Sequence, residues 1–526
     1  MIKNEMIDPS ALQQQTCHSH FAGRTPAGTS QPVTLAKNGV RHMRWMPASD
    51  QKKEILSIGL ACSECFSGPR LAKVLTRGFE HERRVMLDMM AGKMAGSLSV
   101  HTSSGVPLEL NEFVEAMANH LPWTNSNDLD WCLSLQLEGA SAVWAAIDML
   151  LQEQILSTGN KHRKMVAVGS TSYHGPPSTS FGSRSPIWHK SYQVKYPVPQ
   201  VGTVVDEAKL LGEFEAFLNK HSDDIGVLLV EPQWGSSQAG FPWPRQLLRT
   251  YIKMAQARGI RVLADEIMCG LGRHGQGTLF LSKAWDLDPD AVTFGKAIAG
   301  GVFPLSGAIV KRGRDVLCKN GRSVMQSHTL AGSSSRALLT GTEVLRELPQ
   351  WFDSISKLGD EMGHVFRHLV CISDGMLIAQ GQGLMWGCLF AKEGANSEED
   401  NRLDTVSCFQ KHCEDVGVLP YFVPVGGFMV TPVVDIDVGT VYEIGEKLEE
   451  ALLRTMKERN WRVPFIKKKE EEEEQRCFVK KDITMMMEGD GGVPTTCLAN
   501  LHTARSCSAS CASFVCRNKR MRFMET

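Results

Sequence analysis

Between about residues 105 and 335, short apolar runs rich in β-branched residues alternate with longer stretches whose apolar positions recur at helical spacing. The short runs cover residues 131–136, 165–168, 226–230, 261–264, 291–294 and 307–310. Each ends in turn or polar residues, as strands buried in a parallel sheet do. Residues 141–155 repeat apolar side chains at helical period, and 244–258 opens on Pro244 and stops at Gly259, which are start and stop signals for a helix. Strand–helix alternation of this kind predicts an α/β fold with a mostly parallel sheet flanked by helices. From Ser334 to about residue 460 the pattern turns helical, with scattered strands at 383–390 and 427–433, and closes on a long helix over 438–459. That predicts a second, smaller α+β domain.

The two ends break the pattern. Residues 1–40 are polar without a sustained period, which predicts an N-terminal segment prone to disorder, and 41–104 is read as the N-terminal part of the small domain. The large domain is then 105–333 and the C-terminal part of the small domain 334–462. Beyond it, three lysines at 467–469 run into five glutamates at 470–474, and 463–526 is read as a low-complexity, disordered tail.

Charge and cysteine content narrow the classes. With 57 Lys+Arg against 58 Asp+Glu there is no basic excess to attract a phosphate backbone, so no nucleic-acid partner is expected. No apolar run approaches the ~20 residues that a spanning helix needs, so no membrane partner is expected either. The start of the chain lacks an apolar signal region, and 15 cysteines in 526 residues are too sparse for a disulfide scaffold. The expectation is an intracellular protein with reduced thiols, cytoplasmic rather than mitochondrial. Cys477, Cys497, Cys507, Cys511 and Cys516 in the tail match no zinc spacing, and Cys62-x-x-Cys65 has no second pair, so no metal site is expected.

Ligands of an open parallel sheet bind outside the carboxyl ends of its strands. Those ends carry Leu137-Glu138-Gly139-Ala140-Ser141, Ser172-Tyr173-His174-Gly175, Glu231-Pro232, Asp265-Glu266 and Gly295-Lys296. Taken singly they are ordinary: an Asp after a strand is usually a cap or turn residue, and a lone Lys is usually solvated. Together and in this order they suit pyridoxal phosphate. A buried carboxylate, Asp265, can keep the pyridine nitrogen protonated. Lys296 can form the Schiff base and shuttle a proton, with Gly295 allowing close backbone approach. A helix N-terminus at Gly139 and Ala140 offers N–H groups to the phosphate, with Ser141 as the expected cap. Tyr173 can stack on the ring.

A second motif competes. Residues 270–275 spell G-x-G-x-x-G after a strand, and a dehydrogenase reading would give Asp288 to a ribose. The following GQGTLFLSKAW does not open a clean helix, and acids rather than glycines stand at that strand's tip, so the motif is discounted.

With these residues in place, the stretch 263–310 resembles the signature of class III aminotransferases, a family of fold-type-I pyridoxal-phosphate enzymes. SYHG at 172–175, LLVEP at 228–232 and TLAGSS at 329–334 follow in that family's order, and the likeness extends over about 105–460. The resemblance implies that Lys296 is the Schiff-base lysine and Asp265 the partner of the pyridine nitrogen. It implies that Ile267 packs under the ring opposite Tyr173, that Gly139 and Ala140 bind the phosphate, and that Glu231 sits behind the cofactor and supports Asp265. Thr329 would reach the phosphate held in the other subunit of a homodimer.

Three departures from the family's pattern stand out, one at the phosphate and two that bear on substrate. Ala140 stands where a hydroxyl residue is frequent, which removes a hydrogen bond worth about 1 kcal/mol. Ser236 stands where members that use glutamate carry a Glu, and 425–432 (VGGFMVTP) shows no carboxylate-gripping Arg. The expectation is transfer from an ω- or other non-α amine to an oxoacid or aldehyde. An aminomutase or racemase on the same fold, or a non-catalytic scaffold, are the alternatives. Trp234 and Trp243 either line an apolar pocket or serve packing.

Overall fold

The computed structural model describes residues 33–46, 51–59, 63–96, 98, 106–123, 131–175, 192–311, 333–391 and 402–461. Three strands come first: β1 (Val33–Asn38), β2 (Arg41–Met46) and β3 (Gln51–Ser57), followed by helices α1 (Gly68–Met90) and α2 (Leu108–Ala118). The central region runs β4 (Trp131–Gln136), α3 (Gly139–Thr158), β5 (Met165–Gly169), β6 (Gln193–Tyr196), α4 (Glu207–His221), β7 (Ile225–Val230), α5 (Arg245–Ala257), β8 (Arg261–Asp265), α6 (Leu281–Trp285), β9 (Ala291–Phe294) and β10 (Ser306–Lys311). The C-terminal part holds α7 (Ser335–Glu347), α8 (Phe352–Ile372), β11 (Leu377–Gln382), β12 (Met385–Phe390), α9 (Arg402–Val416), β13 (Val418–Leu419), β14 (Tyr421–Val423), β15 (Gly427–Val430) and α10 (Val438–Glu458).

The central sheet has seven strands in the order β4-β10-β9-β8-β7-β5-β6. The neighbours from β9 to β6 pair in parallel, and β10 runs antiparallel to both β9 and β4. Six of the seven strands therefore point the same way and deliver their carboxyl ends to one edge. The expected mostly parallel α/β sheet is present, with strand limits within a residue or two of those read from the apolar runs. Two features differ. β6 was not expected: it is an edge strand in which only Tyr196 is fully buried, so QVKY carries no apolar run. The expected single strand over 383–390 is the second half of a hairpin, β11–β12, turned at Gly383-Leu384, and the polar glutamines of β11 hid its first half.

Local signals explain the helices. Asp206, Ser334 and Asp437 cap α4, α7 and α10 by accepting from the backbone N–H three residues on. Gly159 ends α3 in the left-handed conformation that favours glycine. Val143, Ile147 and Leu150 of α3 press onto Val168, Val227, Leu229 and Leu263, fixing the helix across one sheet face. On the other face Phe214 of α4 and Tyr251 of α5 stack at 3.8 Å.

The N-terminal strands join the C-terminal part: β3 pairs with β13 in parallel, Val418 beside Leu56, in a sheet ordered β1-β2-β3-β13. β1 falls inside the segment read as prone to disorder; Val33–Asn38 pairs with β2 from Asn38↔Arg41 outward. The tail and its cysteines lie outside the described residues. No described helix is long and apolar enough to cross a membrane.

Candidate active site

A cavity of about 460 Å³ opens at the carboxyl edge of the sheet, within the size range of small-molecule sites. Gly139, Ala140, Tyr173, Glu231, Asp265, Ile267 and Lys296 all line it. The eighth expected residue, Thr329, lies outside the described residues.

Asp265 ends β8 and is 8% exposed. Its Oδ1 accepts from Ile267 N and from Thr293 Oγ1, both at 3.1 Å, and its Oδ2 lies 2.7 Å from His174 Nδ1. Thr293 reaches it because β8 and β9 pair Asp265 with Thr293. Burial alone would push this carboxyl up; the His174 hydrogen bond and charge, the Ile267 N–H and the charge of Lys296 outweigh it and hold it below its ordinary value. His174 shows the mirror image. Burial lowers its pKa, but the hydrogen bond to Asp265 and the charges of Glu231 and Asp265 raise it above the ordinary imidazole value. Its Nε2 is buried with no hydrogen-bond partner.

Glu231 plays a different part from the one expected of it. Its carboxylate accepts from Tyr173 N at 3.3 Å and Gly235 N at 3.4 Å, so it pins the loops after β5 and β7 together. Burial pushes its pKa up to about 7, and the Asp265 charge adds to that rise. Two carboxylates repel, so Glu231 acts favourably on His174 and only through it on Asp265. The neighbouring Glu266 faces away from the cavity. It accepts from Leu281 N at 2.5 Å and Ser282 N at 2.7 Å, capping α6, and burial pushes it up to about 7 as well.

Lys296 follows β9 as the first residue of a 3-10 turn and has φ +48°, in the left-handed region that non-glycine residues seldom enter. Ile267 sits between two glycines: a Cβ on Gly139 would come within 2.8 Å of Ile267 Cδ1, and one on Gly295 within 3.5 Å of its Cγ2 and 3.2 Å of Ser306 Cβ. The missing side chains at both positions let the β4, β8 and β9 ends close around Ile267. Tyr173, 44% exposed, stands open on the cavity wall.

The expected cap of α3 is corrected. The helix begins at Gly139, two residues before Ser141, and its cap position is Glu138. The first helical bond runs from Ala142 N to Glu138 O, so the N–H groups of Gly139, Ala140 and Ser141 have no partner within the helix. Ser141 Oγ donates to Glu138 Oε1 at 3.2 Å, a side-chain contact that caps no backbone N–H of the helix. An exposed carboxylate therefore stands at the anion-binding end of the helix.

The tryptophans are packing. Trp234 and Trp243 are 1% and 2% exposed, stack at 4.8 Å, and do not line the cavity. The glycine motif at 270–275 is a packed loop, not a nucleotide cradle. Buried Arg273 donates from Nη1 to Pro432 O at 2.5 Å, and a Cβ on Gly272 would meet Phe352 at 2.6 Å.

Sequence reasoning gave no role to His174, although it lies in the quoted Tyr173-His174-Gly175. Gly59 and Tyr421 also line the cavity and were missed, because they meet only through the pairing of β3 with β13. Ile58 N donates to Leu419 O at 3.0 Å, and a Cβ on Gly59 would lie 2.0 Å from Tyr421 N.

Pyridoxal phosphate fits these residues. An ionised buried carboxylate, a lysine, a half-exposed aromatic ring and a helix start with free N–H groups converge on one cavity of suitable size. Comparisons with known proteins agree. The family described as aminotransferase class-III matches residues 72–430. The mitochondrial acetylornithine aminotransferase of Candida glabrata is 28% identical over 44% of this chain and 53% of its own length. The 5-aminovalerate aminotransferase DavT of Pseudomonas putida is 32% identical over 30% of this chain and 36% of its own. The chain thus spans about half or less of the length of the curated relatives it matches. An (S)-enantioselective ω-transaminase from Thermomicrobium roseum shares the fold at a TM-score of 0.70, with 19% identity over 86% of this chain and 99% of that one. The chain belongs to the class III aminotransferase family, whose members depend on pyridoxal phosphate.

Proposed function

We propose that the protein transfers the nitrogen of a primary ω- or other non-α amine to an oxoacid or aldehyde acceptor. The observation that carries this reading is the ionised Asp265 carboxylate at the base of a cavity that Lys296 also lines. Bound pyridoxal phosphate supplies an aldehyde that takes up the amine and a protonated ring that withdraws electrons from the adjacent carbon. Asp265 holds the ring N–H, and His174 keeps Asp265 ionised. Ile267 and Tyr173 hold the two ring faces. The N–H groups of Gly139 and Ala140 hold the phosphate at the positive end of α3. Lys296 Nζ takes the proton from the amine-bearing carbon and returns a proton to complete the transfer.

The residues that line the cavity support this substrate class. Ser236 lines it, and none of the described lining residues is an arginine, the side chain that grips a carboxylate in bidentate fashion. A homodimer with Thr329 of the partner subunit at the phosphate belongs to the same reading. It is supported by the exposed apolar side chains Phe79, Met86, Leu87, Met89 and Met90 of α1. The test is a panel of amine donors and acceptors against purified protein, read by cofactor absorbance. Non-α amines are expected to convert the cofactor; 2-oxoglutarate as best acceptor by a wide margin would overturn the substrate assignment.

A further inference from the structure

We propose that Cys408, His412 and Glu458 form a binding site for one divalent cation of the zinc class where α9 meets the end of α10. Cys408 and His412 are four residues apart on α9 and so share one face, one turn apart. Glu458 is the last residue of α10, which packs along α9. The Cys408 Sγ, a His412 ring nitrogen and a Glu458 carboxylate oxygen all lie within 4.8 Å of one another. His412 Nε2 is 3.0 Å from Glu458 Oε2. One thiolate, one imidazole and one carboxylate make a donor set that zinc accepts in tetrahedral geometry, with the fourth position left to water.

A second observation concerns the rest of the imidazole. His412 is 9% exposed, and its Nδ1 is buried with no hydrogen-bond partner, while Asp415 Oδ2 stands 3.9 Å away. With Nε2 on a metal, Nδ1 would carry the proton and face that carboxylate, as the second nitrogen of a metal-bound histidine commonly does. Lys411 Nζ, 3.8 Å from Glu458 Oε2, competes for the carboxylate, but its side chain is 65% exposed and free to move away. Binding replaces the Cys408 S–H bond by a metal–sulfur bond and releases that proton to solvent; no oxidant or reductant is involved. The ion would clamp the two helices. None of the three residues lines the cavity, so the proposal stands apart from the transaminase reading.

The test uses the full chain with its cofactor bound, stripped of metal and titrated with cobalt(II). A thiolate-to-cobalt charge-transfer band is expected, with one more equivalent bound than in Cys408→Ser and competition by zinc. His412→Ala should lose the same equivalent, and Asp415→Asn should weaken it by about ten-fold. Comparing variants excludes the tail cysteines, which are common to all. Cofactor absorbance reports whether each variant folds. Independently, zinc should protect Cys408 of the unaltered protein from alkylation, read by peptide mapping. Equal stoichiometry in all variants, or equal labelling of Cys408 with and without zinc, overturns the proposal.

Discussion

Asp265 and His174 meet at 2.7 Å from the ends of two strands, β8 and β5, that are not neighbours; β7 lies between them. The contact bridges the rim of the sheet and sets the charge state of both groups. Replacing His174 by Phe removes a charged hydrogen bond worth about 1.5–3 kcal/mol, so turnover should fall roughly 10- to 100-fold. The absorbance of the bound cofactor should shift toward that of an unprotonated ring. An unchanged spectrum with full turnover would show that His174 does not hold Asp265 in its working state.

The same pair makes stability depend on pH at both ends. Asp265 has a lowered pKa in the folded state, so its contribution is present above the ordinary carboxylate value and is lost as pH falls through the folded one. His174 has a raised pKa, so its contribution is full below the ordinary imidazole value and is lost as pH rises through the folded one. In His174→Gln, denaturant unfolding across pH should lose the decline on the alkaline side of the imidazole range. Parallel profiles for the variant and the parent would contradict this.

Glu231 and Glu266 act in one direction only. Each is raised to about 7 by burial, so the folded chain keeps protons that the unfolded chain gives up. Stability from these two groups is therefore present below about pH 4.5 and lost as pH rises to about 7. Glu266→Gln loses a cap of α6 and is less stable at every pH, but its profile over that interval should lose the downward slope that Glu266 contributes. The slope, measured by chemical unfolding at several pH values, separates titration from lost capping.

Lys296→Ala should reduce transamination by at least about 10²- to 10⁴-fold, since the proton transfer has no other base assigned to it. Asp265→Ala should come close to that loss. Amine-dependent turnover by the purified Lys296→Ala protein would reject the assigned mechanism.

Glu138 places negative charge at the helix end to which the proposed function assigns the phosphate. Glu138→Ser puts a favoured capping residue at that position and removes the charge. The affinity for pyridoxal phosphate should rise about two- to five-fold, on the usual scale of a charge at a helix terminus. Weaker binding in an absorbance titration of the cofactor-free protein would show that Glu138 assists the site instead.

What was legible in the chain follows from burial. Strands with both faces covered read as apolar runs, and β5, β7, β8, β9 and β10 are legible that way; β4, at the other edge and half buried, still carries Trp131, Leu133 and Leu135. The edge strand β6 left no such trace, and the reversed direction of β10 has no signature in a hydrophobic pattern. Asp265, Lys296 and Tyr173 stood out because strand ends collect on one rim. The partner of Asp265 did not, because strand order, not spacing, brings His174 to it. The cap of α3 was misplaced because Gly139 and Ala140 lack the apolar period that marks the rest of the helix. The two tryptophans could not be sorted between pocket and core until the bulk around them was known.

The meeting of Gly59 with Tyr421 has a consequence for how the protein is made. One wall of the cavity comes from the first described strands and its neighbour from a segment near the end of the described chain. Pairing across so long a separation must offset a large loop-closure entropy and is slow to form. During synthesis the central sheet can gather while β3 waits without its partner. The cavity is complete only after residue 421 has emerged, and a chain interrupted before that point would display the strand ends with one side open.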